Sequence, residues 1–200
     1  MKMNIDTVEK RFLTIPVELR AAGETESRTI EGSAAVFNSI TDMGWFKEQI
    51  SPQAFDDILA DESHDVVALV NHNENNIVAR RSAGTLKIWK TDKSLMYSFD
   101  APNTTAGNDL LENIKLGNIR GSSFQFEVSE SSWIFDDTNP NNDLRTIVKV
   151  SRLWDVGPVT FPAYADTDVA KRYKPKRPES YNEIVANARE RELNLSNPNN

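Results

Sequence analysis

Ser122-Ser123-Phe124-Gln125-Phe126-Glu127-Val128-Ser129 alternates residue by residue. Ser123, Gln125 and Glu127 fall on one face of a strand and Phe124, Phe126 and Val128 on the other, the period of two that a half-buried strand requires. Such a strand needs a second layer to cover its apolar face. Working outward, Arg145 to Val150 and Leu153 to Phe161 read as one or two further strands, joined to the first through the polar hairpin loop Asp136 to Asp143. Upstream, Thr85 to Lys90 and Leu95 to Ala101 pair as a hairpin across Thr91-Asp92-Lys93-Ser94. Val66 to Val70 is a short apolar strand that ends on Asn71-His72. Arg28 to Phe37 forms a strand, and Lys10 to Leu19, interrupted by Pro16, an edge or bent strand.

Helical signals are fewer. Thr104 or Thr105 caps a helix from about Ala106 to Leu116, with Leu110, Leu111 and Ile114 on its buried face and Gly117 ending it. Ser51-Pro52 opens a short helix, serine as N-cap and proline at the first position, with Phe55, Ile58 and Leu59 facing inward. A third amphipathic helix is expected over residues 180–193. The count predicts a mainly β protein with flanking helices: a closed or partly closed antiparallel β-barrel of about seven strands surrounded by short helices.

Composition narrows the function classes. Two hundred residues with 38% hydrophobic content, four Trp and nine Phe suit one globular domain. With no cysteine, disulfides, thiol nucleophiles and cysteine-based zinc sites are all excluded. No run approaches the ~20 apolar residues of a membrane span, and Met1-Lys2-Met3-Asn4-Ile5-Asp6 has no secretory apolar core, so the expectation is a soluble, cytoplasmic protein. Residues 171–200 hold seven Lys/Arg against four Asp/Glu, leaving 16 against 26 in residues 1–170. The acidic body argues against nucleic acid as the main partner, because phosphate binding needs clustered cations. The basic run Lys171-Arg172-Tyr173-Lys174-Pro175-Lys176-Arg177 reads as a linker, or as a tether or trimming site, dividing a domain at 1–170 from a tail at 171–200.

Three stretches each offer one member of a nucleophilic triad: Asn71-His72-Asn73, Gly121-Ser122-Ser123 and Trp154-Asp155-Val156. A histidine takes the serine proton, and a carboxylate orients the ring and stabilises its cation. The chain has two histidines, so the base is His64 or His72. His64, within Asp61-Glu62-Ser63-His64-Asp65, reads as exposed in a solvated acidic turn; those carboxylates match no EF-hand spacing. Asp155, in an otherwise apolar strand, needs a partner, because an unpaired buried charge is costly. Arg152, Arg145 or a histidine ring would serve. Glu48 reads as solvent-facing, and Arg80 and Arg81 as solvated. Gly121-Ser122-Ser123 lacks the second glycine and the following helix of a hydrolase elbow. No phosphate loop or zinc-binding helix is present, so neither cofactor nor metal is expected.

In order, Gly32 to Asn38, Glu48 to Phe55, Val67 to His72, the hairpin Gly84-Thr85-Leu86 to Leu95, Ile119 to Phe126 and Trp154 to Tyr164 resemble the prohead (capsid maturation) serine proteases of tailed bacteriophages. The resemblance implies His72 as base, Ser123 in preference to Ser122 as nucleophile, and Asp155 as third member. The family usually has Glu where this chain has Asp155, and commonly Gly where it has Gln125. Similarity in fold to herpesvirus assembly proteases implies a barrel, a homodimer, and an oxyanion hole of backbone N–H groups at Ala163 and Tyr164. The implied function is a serine endopeptidase acting inside the assembling procapsid in the bacterial cytoplasm. It would act on scaffold or major capsid protein precursor and on itself, with no nucleic acid or membrane partner. The alternatives are a non-catalytic scaffold or capsid-binding protein that keeps the fold, and an esterase or amidase with a deep apolar pocket.

Overall fold

A computed structural model describes residues 8–13, 18–19 and 27–161. The strands are β1 (Val8–Leu13), β2 (Glu18–Leu19), β3 (Thr29–Val36), β4 (Thr41–Asp42), β5 (Lys47–Ile50), β6 (Val67–Leu69), β7 (Ile77–Arg80), β8 (Leu86–Lys90), β9 (Ser94–Asp100), β10 (Gly121–Ile134) and β11 (Leu144–Val159). Helix α1 (Asp56–Ala60) precedes β6 and α2 (Thr105–Lys115) precedes β10. Mainly β structure with few helices matches the sequence expectation. The boundary at 170, the helix over 180–193 and the pair Ala163/Tyr164 lie outside the described residues.

The barrel is corrected. The strands form two sheets, β1-β10-β11-β5-β4 with β6 and β7 attached, and β2-β3-β9-β8; among the described residues neither closes on itself. The seven-stranded sheet is also mixed rather than antiparallel. β11 pairs antiparallel with β10 along nearly its whole length, while its opposite edge carries two parallel partners. These are β5 at Leu144–Ile147 and β6 at Asp155–Val156. Both edges of this central strand are therefore occupied, and the sheet grows outward from it.

The apolar face of β10 behaves as its alternation requires: Phe124, Phe126 and Val128 are buried, with Phe124 stacked on Phe126 at 4.7 Å. They meet Phe55 of the turn before α1, while Ile30, Leu95 and Tyr97 join the same core from the smaller sheet. Burying side chains of this size stabilises by roughly 1.5–3 kcal/mol each. α2 begins where its cap predicts. The Thr104 hydroxyl accepts from the Gly107 N–H, Leu110, Leu111 and Ile114 are buried, and Gly117 ends the helix at φ 71°. α1 does not start at Ser51-Pro52. The Ser51 hydroxyl is committed to the Gln53 side chain, residues 51–54 form a turn, and the helix starts after Phe55 with no side-chain cap.

Glu48 is likewise corrected. It is 4% exposed and accepts from Arg145 Nη1 at 3.1 Å, an ion pair across the parallel β5–β11 junction with Arg145 itself 1% exposed. No helix among the described residues is long and apolar enough to cross a membrane.

Candidate active site

Three adjoining strands bring His72, Ser123 and Asp155 into contact. Ser123 and Asp155 lie on antiparallel neighbours, where Ser123 faces Gly157 and Gln125 faces Asp155. His72 follows β6, which runs parallel to β11 in the register Asp155 to Val67. The His72 ring bridges the other two: Nε2 is 2.6 Å from Ser123 Oγ and Nδ1 is 2.5 Å from Asp155 Oδ1. An ionised carboxylate can only accept, so the proton belongs on Nδ1, and Nε2 accepts from the Ser123 hydroxyl. Asp155, shorter by a methylene than the acid usual in the resembled family, reaches the ring at this distance.

Local backbone geometry turns the histidine back over the sheet. Asn71 and His72 both adopt left-handed conformations, φ 56° and 55°. This region is uncommon for residues with a Cβ, and asparagine and histidine are among those that enter it most readily. Asn71 secures the turn. Its N–H donates to Pro158 O at 3.0 Å, its Oδ1 accepts from Thr160 N–H at 2.8 Å, and its Nδ2 donates to Thr160 Oγ1 at 3.1 Å. The turn carrying His72 is thus fastened to the strand carrying Asp155. The clamp of Asn71 on Thr160, 89 residues away, leaves no local signal in the sequence.

The two adjacent serines separate cleanly. Ser122 points into the core, where its hydroxyl lies 3.0 Å from Tyr97 Oη. Burial pushes the Tyr97 phenol up, against a smaller lowering by the Ser122 hydrogen bond. Ser123 points to the opposite face and meets His72. The three side chains are enclosed: Ser123 is 0% exposed, and the side chains of His72 and Asp155 are 9% and 5% exposed. In such surroundings charge-assisted hydrogen bonds are stronger than in water.

The other candidates fall elsewhere. His64 is half-buried rather than solvated, its ring against the backbone of Leu153. Arg152 does not reach Asp155; its guanidinium lies over the Trp154 ring at 3.6 Å, and Arg145 pairs with Glu48. Arg80 pairs with Asp65, and Arg81 donates to the carbonyls of Ile58, Leu59 and His64, holding the end of α1. The Ser63 hydroxyl and N–H hold the Asp61 carboxyl below its ordinary range. Among the described residues no group of three or more His, Asp or Glu could hold a metal ion.

An open recess of about 250 Å³ adjoins the His72 turn, lined by Val70, Asn71, Asn76, Asp109, Asn113 and Thr160 among others. It is smaller than the ~300–1,000 Å³ cavities that enclose small molecules, and Leu110 and Ile119 give its lining an apolar share beside the polar one.

Residues 15–181 match the sequence profile of the caudovirus prohead serine protease family, and the resemblance read from the sequence is borne out by that match. The bacteriophage T4 capsid assembly protease has a similar structure, with a TM-score of 0.50 over 78% of this chain and 97% of that one. Identity between them is 12%, so the likeness concerns the fold. No curated protein matches the chain.

Proposed function

The chain belongs to the caudovirus prohead serine protease family, and on that footing we propose that it cleaves capsid scaffold or major capsid protein precursor, and itself, inside the assembling procapsid. Ser123 is the nucleophile, His72 the general base and acid, and Asp155 the group that orients the ring. The observation carrying this reading is the bridging imidazole, within hydrogen-bond distance of a hydroxyl on one nitrogen and of a carboxylate on the other.

Ser123 Oγ attacks the scissile carbonyl carbon while its proton passes to His72 Nε2. The C–N bond then breaks, the leaving amine takes that proton, and an acyl-Ser123 ester remains. Water attacks the ester by the same route, with His72 again accepting and returning the proton. Throughout, Asp155 accepts from Nδ1–H and stabilises the imidazolium that forms; without such a carboxylate, rates fall by about 10⁴. Backbone N–H groups at Ala163 and Tyr164 are the proposed oxyanion donors, each worth ~10²–10³ in rate. The small, open recess suits side chains of an extended peptide better than an enclosed ester.

A fluorophosphonate probe tests the nucleophile without knowledge of the cleavage site, because it forms a bond to an activated serine Oγ and releases fluoride. Intact mass and peptide mapping should place the adduct on Ser123, with none on Ser123→Ala. Co-expression with capsid precursor should give cleavage by the wild type alone. Processing by Ser123→Ala would remove Ser123 from the role, and a chain that neither labels nor cleaves would favour the non-catalytic scaffold.

A further inference from the structure

His64, the second histidine, has no part in the proposed mechanism, yet it stands at the strand that carries Asp155. The edge of β11 facing β5 and β6 is satisfied by a succession of backbone partners. β5 covers Leu144–Ile147, Ser51 N–H donates to Ile147 O at 2.9 Å, and Val150 N–H donates to Ala54 O at 2.9 Å. Further along, β6 covers Asp155 and Val156, and Asn71 N–H reaches Pro158 O. At Leu153 a side chain takes the place of backbone: His64 Nε2 lies 3.2 Å from Leu153 N and 3.2 Å from Leu153 O. One ring nitrogen is thus placed to accept from the N–H when unprotonated, or to donate to the carbonyl when it carries a proton.

Leu153 is one side of a β-bulge. Phe126 pairs with Leu153 and the next residue, Gln125, pairs with Asp155, so Trp154 is the extra residue in β11. A bulge re-aims the side chains beside it and leaves local backbone groups without ladder partners. Here the next side chain is Asp155, whose carboxylate must meet His72 Nδ1. The outer side of the bulge is pinned as well, by Arg152 over the Trp154 ring and by Trp154 Nε1–H donating to Glu127 Oε1 at 3.1 Å. His64 is itself held: its N–H donates to Asp61 O at 3.1 Å and its carbonyl accepts from Arg81 Nη1 at 3.1 Å.

We propose that His64 is a positioning residue for Asp155: through the Leu153 backbone it fixes the bulge from which the carboxylate reaches His72. The inference rests on the triad reading given above.

The test compares His64→Phe and His64→Asn, which cannot make the Leu153 contact, with His64→Gln, whose amide can both accept and donate. Each is measured below its unfolding temperature, with circular dichroism confirming the fold. The readouts are the rate of fluorophosphonate labelling at Ser123 and the downfield proton resonance of His72 Nδ1–H. Phe and Asn should label about tenfold more slowly, within the ~10²-fold that a 1 Å misplacement can cost, and should shift that resonance. Gln should restore the rate to within about threefold and return the resonance to its wild-type position. In an Asp155→Asn background, His64→Phe should change the remaining rate by less than about twofold, because the two residues act through one path. Wild-type rate and resonance in both Phe and Asn variants would overturn the proposal, and so would a His64 effect that persists without the Asp155 carboxylate. Labelling of Asp155→Asn at the wild-type rate would instead overturn the triad reading beneath it.

Discussion

Gly157 packs so closely on Leu69 that a Cβ added to the glycine would lie 2.0 Å from the Leu69 carbonyl oxygen. Gly157 faces Ser123 across β10–β11, and Leu69 ends the strand from which His72 turns back. The missing side chain therefore lets the histidine strand approach the serine. Gly157→Ala should push β6 outward and carry His72 off Ser123. Fluorophosphonate labelling should fall by about 10²-fold or more, with a stability loss of about 1–3 kcal/mol in urea. A variant that labels at the wild-type rate would show that the contact does not set the site.

Asn71 serves two purposes that substitution can separate. Asn71→Gly keeps a residue at ease at φ 56° but loses both side-chain bonds to Thr160, whereas Asn71→Ala loses the bonds and meets the left-handed penalty. Alanine should be the less stable of the two by about 1–2 kcal/mol in urea titration, the cost of that conformation for a residue with a Cβ. Both should label Ser123 more slowly than wild type. Equal stability of the two variants would mean that backbone conformation contributes nothing at this turn.

The Glu48–Arg145 pair should be costly to halve. Glu48→Leu leaves the guanidinium among buried neighbours without that carboxylate, a loss of about 3–5 kcal/mol; changing both, Glu48→Leu with Arg145→Met, should recover much of it. Urea denaturation of the four species gives the coupling. If the double variant is as unstable as the single, the pair contributes through its other contacts.

The hairpin loop should respond to acid in a definite direction. Asp136 has its carboxyl lowered to about 2 by the Thr138 hydroxyl first, then by the N–H groups of Asn139 and Thr138. A carboxyl whose folded value lies below its unfolded value of 3.8 stabilises the fold above that value and loses the contribution as pH falls toward 2. Asp136→Ala should therefore be less stable than wild type at pH 7, with the gap closing between about pH 4 and pH 2. Thermal unfolding at a series of pH values measures it; a gap independent of pH would contradict the assignment.

Local signals made part of this molecule legible. The alternation along β10, the Thr104 cap, the terminal Gly117 and the β8–β9 hairpin all depend on residues a few positions apart, and each forms where the sequence indicates. The alternation places Ser123 opposite Phe124 and Phe126, and in the structure Ser123 meets His72 while its neighbour Ser122 meets Tyr97. Long-range partners were not legible. Glu48 looks solvent-facing because Arg145 is 97 positions away, and His64 looks solvated because Leu153 is 89 positions away. The parallel pairing of β5 and β6 with β11 also leaves no local trace, which is why an antiparallel barrel was the natural expectation. Ser51-Pro52 misleads for a different reason: the serine hydroxyl donates to Gln53 Oε1 and accepts from Gln53 N–H within a tight turn, and the helix starts only after Phe55.

The span of chain between the three facing side chains bears on when the site can exist. His72 is 51 residues from Ser123 and 83 from Asp155, and the β6–β11 pairing beneath them joins segments further apart still, Val67 with Asp155. Contacts of this range require loop-closure entropy to be met before they form, so they belong to the slow steps of folding. A nascent or partly folded chain holds a serine without its base and a base without its acid. On the proposed reading, hydrolytic competence would then arrive only with the completed sheet, a delay written into the topology.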